Sequence, residues 1–543
     1  MFSSRIVRIK LPSNLIVSNS SDSIRSLTKL VTKYELHEDV NEKLNQGLRH
    51  REHPGRRSLP CVSLPYILES AAQKVISKYK RKTFRDDVRR MYNQFHHRQL
   101  PAEAAEIHEK YKEIEYRFVE KEKFIVDDLD PIAKEEALRK RQEKIQSALK
   151  REIYNWQRFD YDEYNSVVYM TARLPPNYAA IKHVFNEIKC DYPEFKPRTL
   201  FDFGSGVGTT IWAANEIWPN SFSEYFCVDI SHHAHDIARL LLKQGNENSP
   251  LVYEGVFTRQ FLPVSHNIKY DIVVSAYSLL ELPSLASRVQ TIENLWHKTE
   301  DLLVIIEHGK KSGFMAVLEA RNLVLQMTGH KVTDTFNVDD SVNQVIQSNE
   351  FPASSIMAPC PHNYPCPKLF TGQISPCNFS ISYEHLDISD FRKILWGTRE
   401  EFSYCVIQKK PISLGDNPPW PRVISPVIKK QKRATCKLCC PDGTMKTISV
   451  NKNRQPKNLY NLVRLSKWSD KLPVTISQEL KEMTIPESKS TDNQDDGNNL
   501  EEVEEDETNP DEINSSQQST NQQQQGSQAS KNLDEIKSKE TKH

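Results

Sequence analysis

From Tyr66 onward apolar residues recur at three- and four-residue intervals, through Leu68, Ala71, Ala72, Val75, Ile76 and Tyr79. That spacing predicts helix, and residues 66–155 read as helical throughout, with breaks at Pro101 and Pro131. The last of these helices, Lys134 to about Tyr154, is dense in Lys, Arg, Glu and Gln and is expected to be long and exposed. Two more helices are expected over Tyr161–Pro176 and Tyr178–Ile188. Beyond them the period changes. Short β-rich runs at Thr199–Phe203, Tyr225–Asp229, Tyr270–Val274 and Leu302–Ile306 do not alternate with polar residues, which suits parallel strands buried on both faces. Phe379–Tyr383 and Phe402–Gln408 read as the last two strands.

This is a doubly wound α/β pattern. It divides the chain into a helical N-terminal region (35–155), an α/β domain (156–415) and a small β unit (416–475). Within that unit Arg422–Ile424, Pro426–Ile428, Thr447–Val450 and Leu462–Leu465 are the expected strands, with Asp442-Gly443 as a turn. Residues 476–543 are too polar to bury a core and are expected to be a disordered acidic tail. No apolar run approaches the ~18 residues of a membrane helix.

The formal charge of +1 hides an asymmetry. From Pro486 onward there are 15 acidic and 5 basic residues, so residues 1–485 carry +11. Trp420–Trp468 alone holds 12 Lys and Arg against one acid, Asp442, with Trp420, Tyr460 and Trp468 interleaved. Such a unit is suited to a polyanion such as RNA. Residues 1–34 are serine-rich and basic (Arg5, Arg8, Lys10, Arg25, Lys29, Lys33), with Asp22 as their one acid. They read as a mitochondrial transit peptide.

Six of the ten cysteines are Cys360, Cys366, Cys377, Cys436, Cys439 and Cys440. Prolines beside Cys360 and Cys366 fix the backbone and remove amide donors, so an insertion at 352–378 is a stiff loop presenting thiols. Thiolates held this way suit a metal or an iron–sulfur cluster. A four-thiolate zinc site is the alternative. Disulfides require an oxidising compartment, and nothing in the sequence reads as a secretory signal.

Asp202-Phe-Gly204-Ser-Gly206-Val-Gly208 follows a strand and opens a helix, where glycines allow close backbone approach to a ligand. Asp229 ends the next strand, placed to accept ribose hydroxyls. Dinucleotide enzymes favour Gly-x-Gly-x-x-Gly. The Gly-x-Gly-x-Gly spacing, with helices ahead of the first strand, resembles class I S-adenosylmethionine-dependent methyltransferases instead. At the fourth strand end, Ser275-Ala-Tyr-Ser278 offers no Asn-Pro-Pro-aromatic and no Pro-Cys. Asp416-Asn417-Pro418-Pro419-Trp420 lies far downstream and reads as a linker. Glu281 and Glu307-His308 are pocket candidates, and no catalytic base is assigned.

Tyr169-Met-Thr-Ala172-Arg-Leu-Pro, the glycine loop, Glu307-His-Gly-Lys-Lys-Ser-Gly-Phe314, the Cys-Pro-(x)4-Cys-Pro loop, Cys439-Cys-Pro-Asp-Gly443 and Trp468-Ser-Asp470 occur in that order. Together they resemble the methyltransferase-like protein 17 family of mitochondrial small-subunit ribosome assembly factors. The resemblance implies a matrix protein that binds the maturing small subunit, its rRNA and ribosomal proteins. It also implies an S-adenosylmethionine-type pocket of doubtful activity and a 4Fe–4S cluster on Cys360, Cys366, Cys377 and Cys439. Cys436 and Cys440 compete with Cys439, and Cys405 is expected in the sheet core. A cluster so placed would clamp the basic unit to the α/β domain, and its loss would release the RNA-facing surface. An active rRNA methyltransferase and a redox-sensing cluster protein are the other readings.

Overall fold

The computed structural model describes residues 27–79, 81–126, 131–265, 267–330, 353–371, 375–386, 399–409 and 419–483. The chain divides into two compact units, Leu30–Glu479 and a second made of 1–29 with 480–543. In the latter the described residues are two strand ends, Leu27–Lys29 and Leu480–Met483. Most of the transit-peptide and acidic-tail expectations therefore lies outside the described residues.

The N-terminal part opens with strand β1 (Leu27–Leu36) and helix α1 (Glu38–Asn45), followed by α2 (Tyr66–Tyr79), α3 (Phe84–His96), α4 (Ala104–Val126) and α5 (Pro131–Glu152). Helices α4 and α5 pack on each other around Ile114, Ile145 and Ala148. Where two helices were expected next there is one, α6 (Glu163–Asp191), which runs straight through Pro175 and Pro176. Each proline removes a helix hydrogen bond at a cost of roughly 3 kcal/mol. Burial of 20 of the 29 residues on both the sheet and its neighbours outweighs that.

The central sheet contains β2 (Thr199–Phe203), β3 (Glu224–Val228), β4 (Val256–Arg259), β5 (Tyr270–Ala276), β6 (Thr299–His308), β7 (Ser355–Ala358), β8 (Phe379–Ser382) and β9 (Arg399–Gln408). Its order is β4-β3-β2-β5-β6-β9-β7, parallel up to β6 and antiparallel beyond, with β8 also on β9. Helices α7 (Thr209–Ile217), α8 (His232–Leu242), α9 (Leu285–Lys298) and α10 (Lys311–Met327) complete the α/β layers. The order reverses between β2 and β5, the crevice where open α/β sheets take ligands.

Two strands were not legible. β4 is four residues long and mostly exposed, so it carries no apolar run. β7 lies inside the cysteine-rich stretch expected as an insertion at 352–378: the chain leaves the sheet from β7 and re-enters at β8. These two strands share the outer edge of β9, Ala358 opposite Val406 and Phe379 opposite Phe402. The thiol loop springs from the gap between them.

The C-terminal unit is a second sheet of β10 (Arg422–Val423), β11 (Ile428–Lys429), β12 (Arg433–Cys439) and β13 (Met445–Asn451), with helix α11 (Lys457–Leu465) packed on it. Leu462–Leu465, expected as strand, ends that helix. Its apolar residues Leu459, Tyr460, Leu462 and Val463 follow the three–four spacing of one helical face. β14 (Val474–Met483) then pairs with β1. No helix among the described residues is long and apolar enough to cross a membrane.

Candidate metal centre and nucleoside pocket

The thiol loop is built by its neighbours. Arg321 of α10, buried, donates to the carbonyls of His362 (3.2 Å) and Tyr364 (2.8 Å), and Asn363 Oδ1 accepts from the Ile356 amide (2.9 Å). At the exit Ser403 Oγ donates to the Cys377 carbonyl (2.9 Å), and Lys368 Nζ to that of Pro376 (2.7 Å). None of these supports was singled out from the sequence, because each is a polar residue whose role depends on a partner distant in the chain.

Into this loop β12 brings Cys439. Its sulfur lies 3.3 Å from His362 Nε2. Burial drives its thiol far above the ordinary range, and Cys360, Cys377 and Cys366, close enough to interact with it, each push it further. Burial likewise raises Cys366 to about 11 and Cys377 to about 12, with other thiols of the set adding to each. Four mutually repelling thiolates need a cation to exist together, and a bound metal supplies one. Cys436 is raised to about 12 by burial, with Cys440 the one thiol adding to it, and it sits in the core of the C-terminal unit. Cys440 also faces that core, and Cys405 lies in the sheet core. Among the described residues the one trio of ligand atoms within 4.8 Å of one another is His232, His233 and Asp236. No three of the thiols of Cys360, Cys366, Cys377 and Cys439 are therefore mutually within 4.8 Å.

The C-terminal unit is also held by contacts other than the thiols. Arg422, buried, pairs with Glu187 of α6 (Nη2 to Oε2, 2.9 Å) and donates to Tyr404. Lys471 and Arg57 both reach Asp191 of the same helix, and Asp470 accepts the amides of Arg57 and Ser58 (2.9 Å each). The sequence had counted Arg422 among the RNA-facing cations; it is an internal lock. Tyr460 is likewise buried, and Trp420 and Trp468 pack on core clusters. What faces water is Lys429, Lys430, Lys432, Arg433 and Lys437 along β11 and β12, and Lys452, Arg454 and Lys457 beyond β13.

At the crevice, Gly204, Gly206 and Gly208 all take positive φ (71°, 50° and 75°). A side chain on Gly204 would collide with Ser278 at 2.4 Å. Asp229 accepts from the amides of Gly206 (2.8 Å) and Ser231 (2.9 Å), leaving lone pairs free on both oxygens. Asp202 is 1% exposed and neither oxygen makes a well-formed hydrogen bond; burial lifts its carboxyl to about 7, against the pull of the nearby Thr210 hydroxyl. A buried acid so placed beside a glycine loop suits a cationic ligand group. Ile230, next to Asp229, is 52% exposed, an apolar surface open beside that carboxylate that sequence reading missed.

A cavity of only about 20 Å³ lies between Phe95, Arg98, Tyr169, Tyr277, Glu281 and Glu307, room for about one water. Arg98 from α3's end holds Glu281 at 2.9 Å and the Leu280 carbonyl at 3.2 Å, and Trp156 Nε1 takes the same carbonyl at 3.0 Å. Glu307 accepts the Leu279 amide (2.8 Å), and the Tyr277 hydroxyl donates to Glu400, itself paired with Arg173. His308, pushed down to about 4 by burial, is neutral, and its Nε2 has no partner. A larger cavity, about 330 Å³, opens behind the glycine loop between α7, α8 and the β3–β4 edge, but neither Asp202 nor Asp229 lines it.

Residues 163–473 match the profile of the family described as mitochondrial small ribosomal subunit Rsm22. The chain belongs to the Rsm22 family. It is 37% identical over 425 residues to the human "Ribosome assembly protein METTL17, mitochondrial", covering 78% of this chain and 86% of that protein. It is 25% identical over 371 residues to the "Rsm22-cox11 tandem protein 2, mitochondrial" of Schizosaccharomyces pombe, covering 60% of this chain and 45% of that one. A solved magnesium protoporphyrin IX methyltransferase from Synechocystis overlays 48% of this chain and 93% of its own at 14% identity with a TM-score of 0.25. At that level the sheet order, not the overlay, defines the fold of this Rsm22-family chain.

Proposed function

We propose that this chain is a mitochondrial matrix factor that assembles the small ribosomal subunit. In this reading it binds rRNA through the basic C-terminal unit and carries a 4Fe–4S cluster on Cys360, Cys366, Cys377 and Cys439. It keeps an S-adenosylmethionine-type pocket without using it for methyl transfer. The names of its relatives support the setting, since both are mitochondrial and the human one is a ribosome assembly protein. The observation that carries the reading is the convergence of Cys439 on three thiols more than 60 positions upstream, on a loop held by Arg321 and Asn363.

A cluster bound there would supply a compact, thiolate-held inorganic core. The chain's own residues do the rest: Arg321 and Asn363 hold the loop, and Arg422 sets the strand that carries Cys439. In the nucleoside pocket Asp202 would meet a cationic group, Asp229 the ribose hydroxyls, and Gly204, Gly206 and Gly208 would let the backbone approach. Anaerobic purification tests the cluster. About four irons and four sulfides per chain are expected, lost in Cys439→Ala and kept in Cys440→Ala. One zinc per chain and no iron would replace the cluster with the four-thiolate zinc alternative.

The competing reading, an active rRNA methyltransferase, draws on the buried Asp202 and the neutral His308. Against it stands the fourth strand end, where Ser275-Ala-Tyr-Ser278 offers neither an Asn-Pro-Pro-aromatic nor a Pro-Cys. Radiolabel transfer from S-adenosylmethionine to small-subunit rRNA, abolished in Asp202→Asn, would establish it.

A further inference from the structure

Parallel strands are joined by crossovers of a dozen or more residues, usually a helix that covers the sheet face. Between β4 and β5 the chain departs from this. The connection spans residues 260–269 only, and its described residues contain no helix. It must nevertheless pass from the edge strand back to the strand beside β2.

The sheet face that such a helix would cover carries a row of aromatic rings. Phe226 pairs in register with Phe201 on one side and Phe257 on the other. Phe201 and Phe226 stack at 5.5 Å, and Tyr270 closes on Phe201 at 5.2 Å. The inner end of the row is covered: Lys298 of α9 lies over Phe201 at 5.9 Å and holds the Ser265 carbonyl. Towards the edge the cover runs out, and Phe257 is 51% exposed. The connection adds Phe261, Val264 and Ile268, exposed by 78%, 81% and 61%. Four exposed apolar groups of this size within twelve residues of chain rarely face water without a partner.

Charge indicates what kind of partner. Between Glu254 and Asp271 two acids face two bases, Arg259 and Lys269, in contrast to the strongly positive C-terminal unit. A phosphate backbone finds no complement in a neutral, apolar face; an apolar helix stripe does.

We propose that the open face of β3 and β4, with the 260–269 connection, docks an amphipathic α-helix of a protein partner in the small-subunit particle. That helix takes the place of the missing crossover, its apolar stripe lying on Phe257 and Phe261. The partner's setting rests on the assembly-factor reading above.

A photo-crosslinking amino acid placed at position 261, and separately at 452 in the basic unit, tests both in purified small-subunit precursors. Position 261 is expected to crosslink a protein segment with apolar residues three and four apart, and position 452 to crosslink rRNA. Crosslinking of 261 to RNA, to a second copy of this chain or to nothing, with 452 still on rRNA, overturns the docking face alone. Absence of both signals overturns the assembly reading and this proposal with it. The double variant Phe257→Asp/Phe261→Asp, at positions already half-exposed, should keep its melting temperature and its affinity for naked rRNA. Its association with the particle should drop at least about tenfold, since aromatic anchors dominate such interfaces; unchanged association counts against the helix.

Discussion

Arg422 and Cys439 face each other across the β10–β12 ladder. The first reaches back to Glu187 on α6, while the second reaches the thiol loop. One cross-strand pair thus joins the ionic lock to the proposed cluster, and the lock is made of protein alone. Besides the thiols, Arg422, Lys471 and Asp470 tie the unit to α6 and to the Arg57 segment.

The lock sets the first prediction. Removing one member of a fully buried pair strands the other charge, at about 3–5 kcal/mol. Arg422→Met should lower stability by that order in urea unfolding, and Glu187→Met/Arg422→Met by clearly less. If the single variant loses under about 0.5 kcal/mol, the magnitude of an ordinary surface substitution, the lock is not what seats the unit.

Gly443 couples the same unit to the thiol loop. Its φ is +77°, and a Cβ there would stand 3.0 Å from Tyr364 Cβ. The left-handed backbone alone costs an L-residue about 1–2 kcal/mol. Gly443→Ala is expected to destabilise by at least that much and to speed iron loss to a chelator. A chelation rate equal to that of the parent protein would separate the turn from the site.

Glu307 makes stability depend on pH. Burial pushes its carboxyl up to about 8, the Leu279 and Leu280 amides offsetting only part. The folded value lies above the unfolded one of about 4.3, so its contribution is full below about pH 4 and is lost as pH rises towards 8. Glu307→Gln should therefore gain on the parent by about 1–3 kcal/mol between about pH 5 and 8. A melting-temperature difference that stays flat across that window would refute the burial argument.

The exposed cations beyond β13 predict a salt dependence. Removing a cation that neutralises one phosphate should reduce the slope of log affinity against log salt by about 0.7–0.9. Lys452→Ala/Arg454→Ala/Lys457→Ala is expected to flatten rRNA binding by up to three such steps without changing the melting temperature. An unaltered slope would move the RNA-binding surface elsewhere.

Period and composition were enough for much of this protein. β2, β3, β5 and β6 announced themselves as β-rich runs without polar alternation, because a parallel strand within the sheet has little polar side to show. The glycine loop and Asp229 were legible because backbone sterics demand those residue types locally. Cys360 and Cys366 stood out for the prolines beside them. Tertiary structure decided what depended on distant partners. Pro175 and Pro176 stay helical because the core encloses α6. Short β4 and β7 exist only through their neighbours in the sheet. Cys439 differs from Cys436 and Cys440 because β12 alternates its side chains, turning one thiol to the loop and another to its own core. Arg422 looks like any other cation of a basic stretch until Glu187, 235 positions away, meets it in the interior.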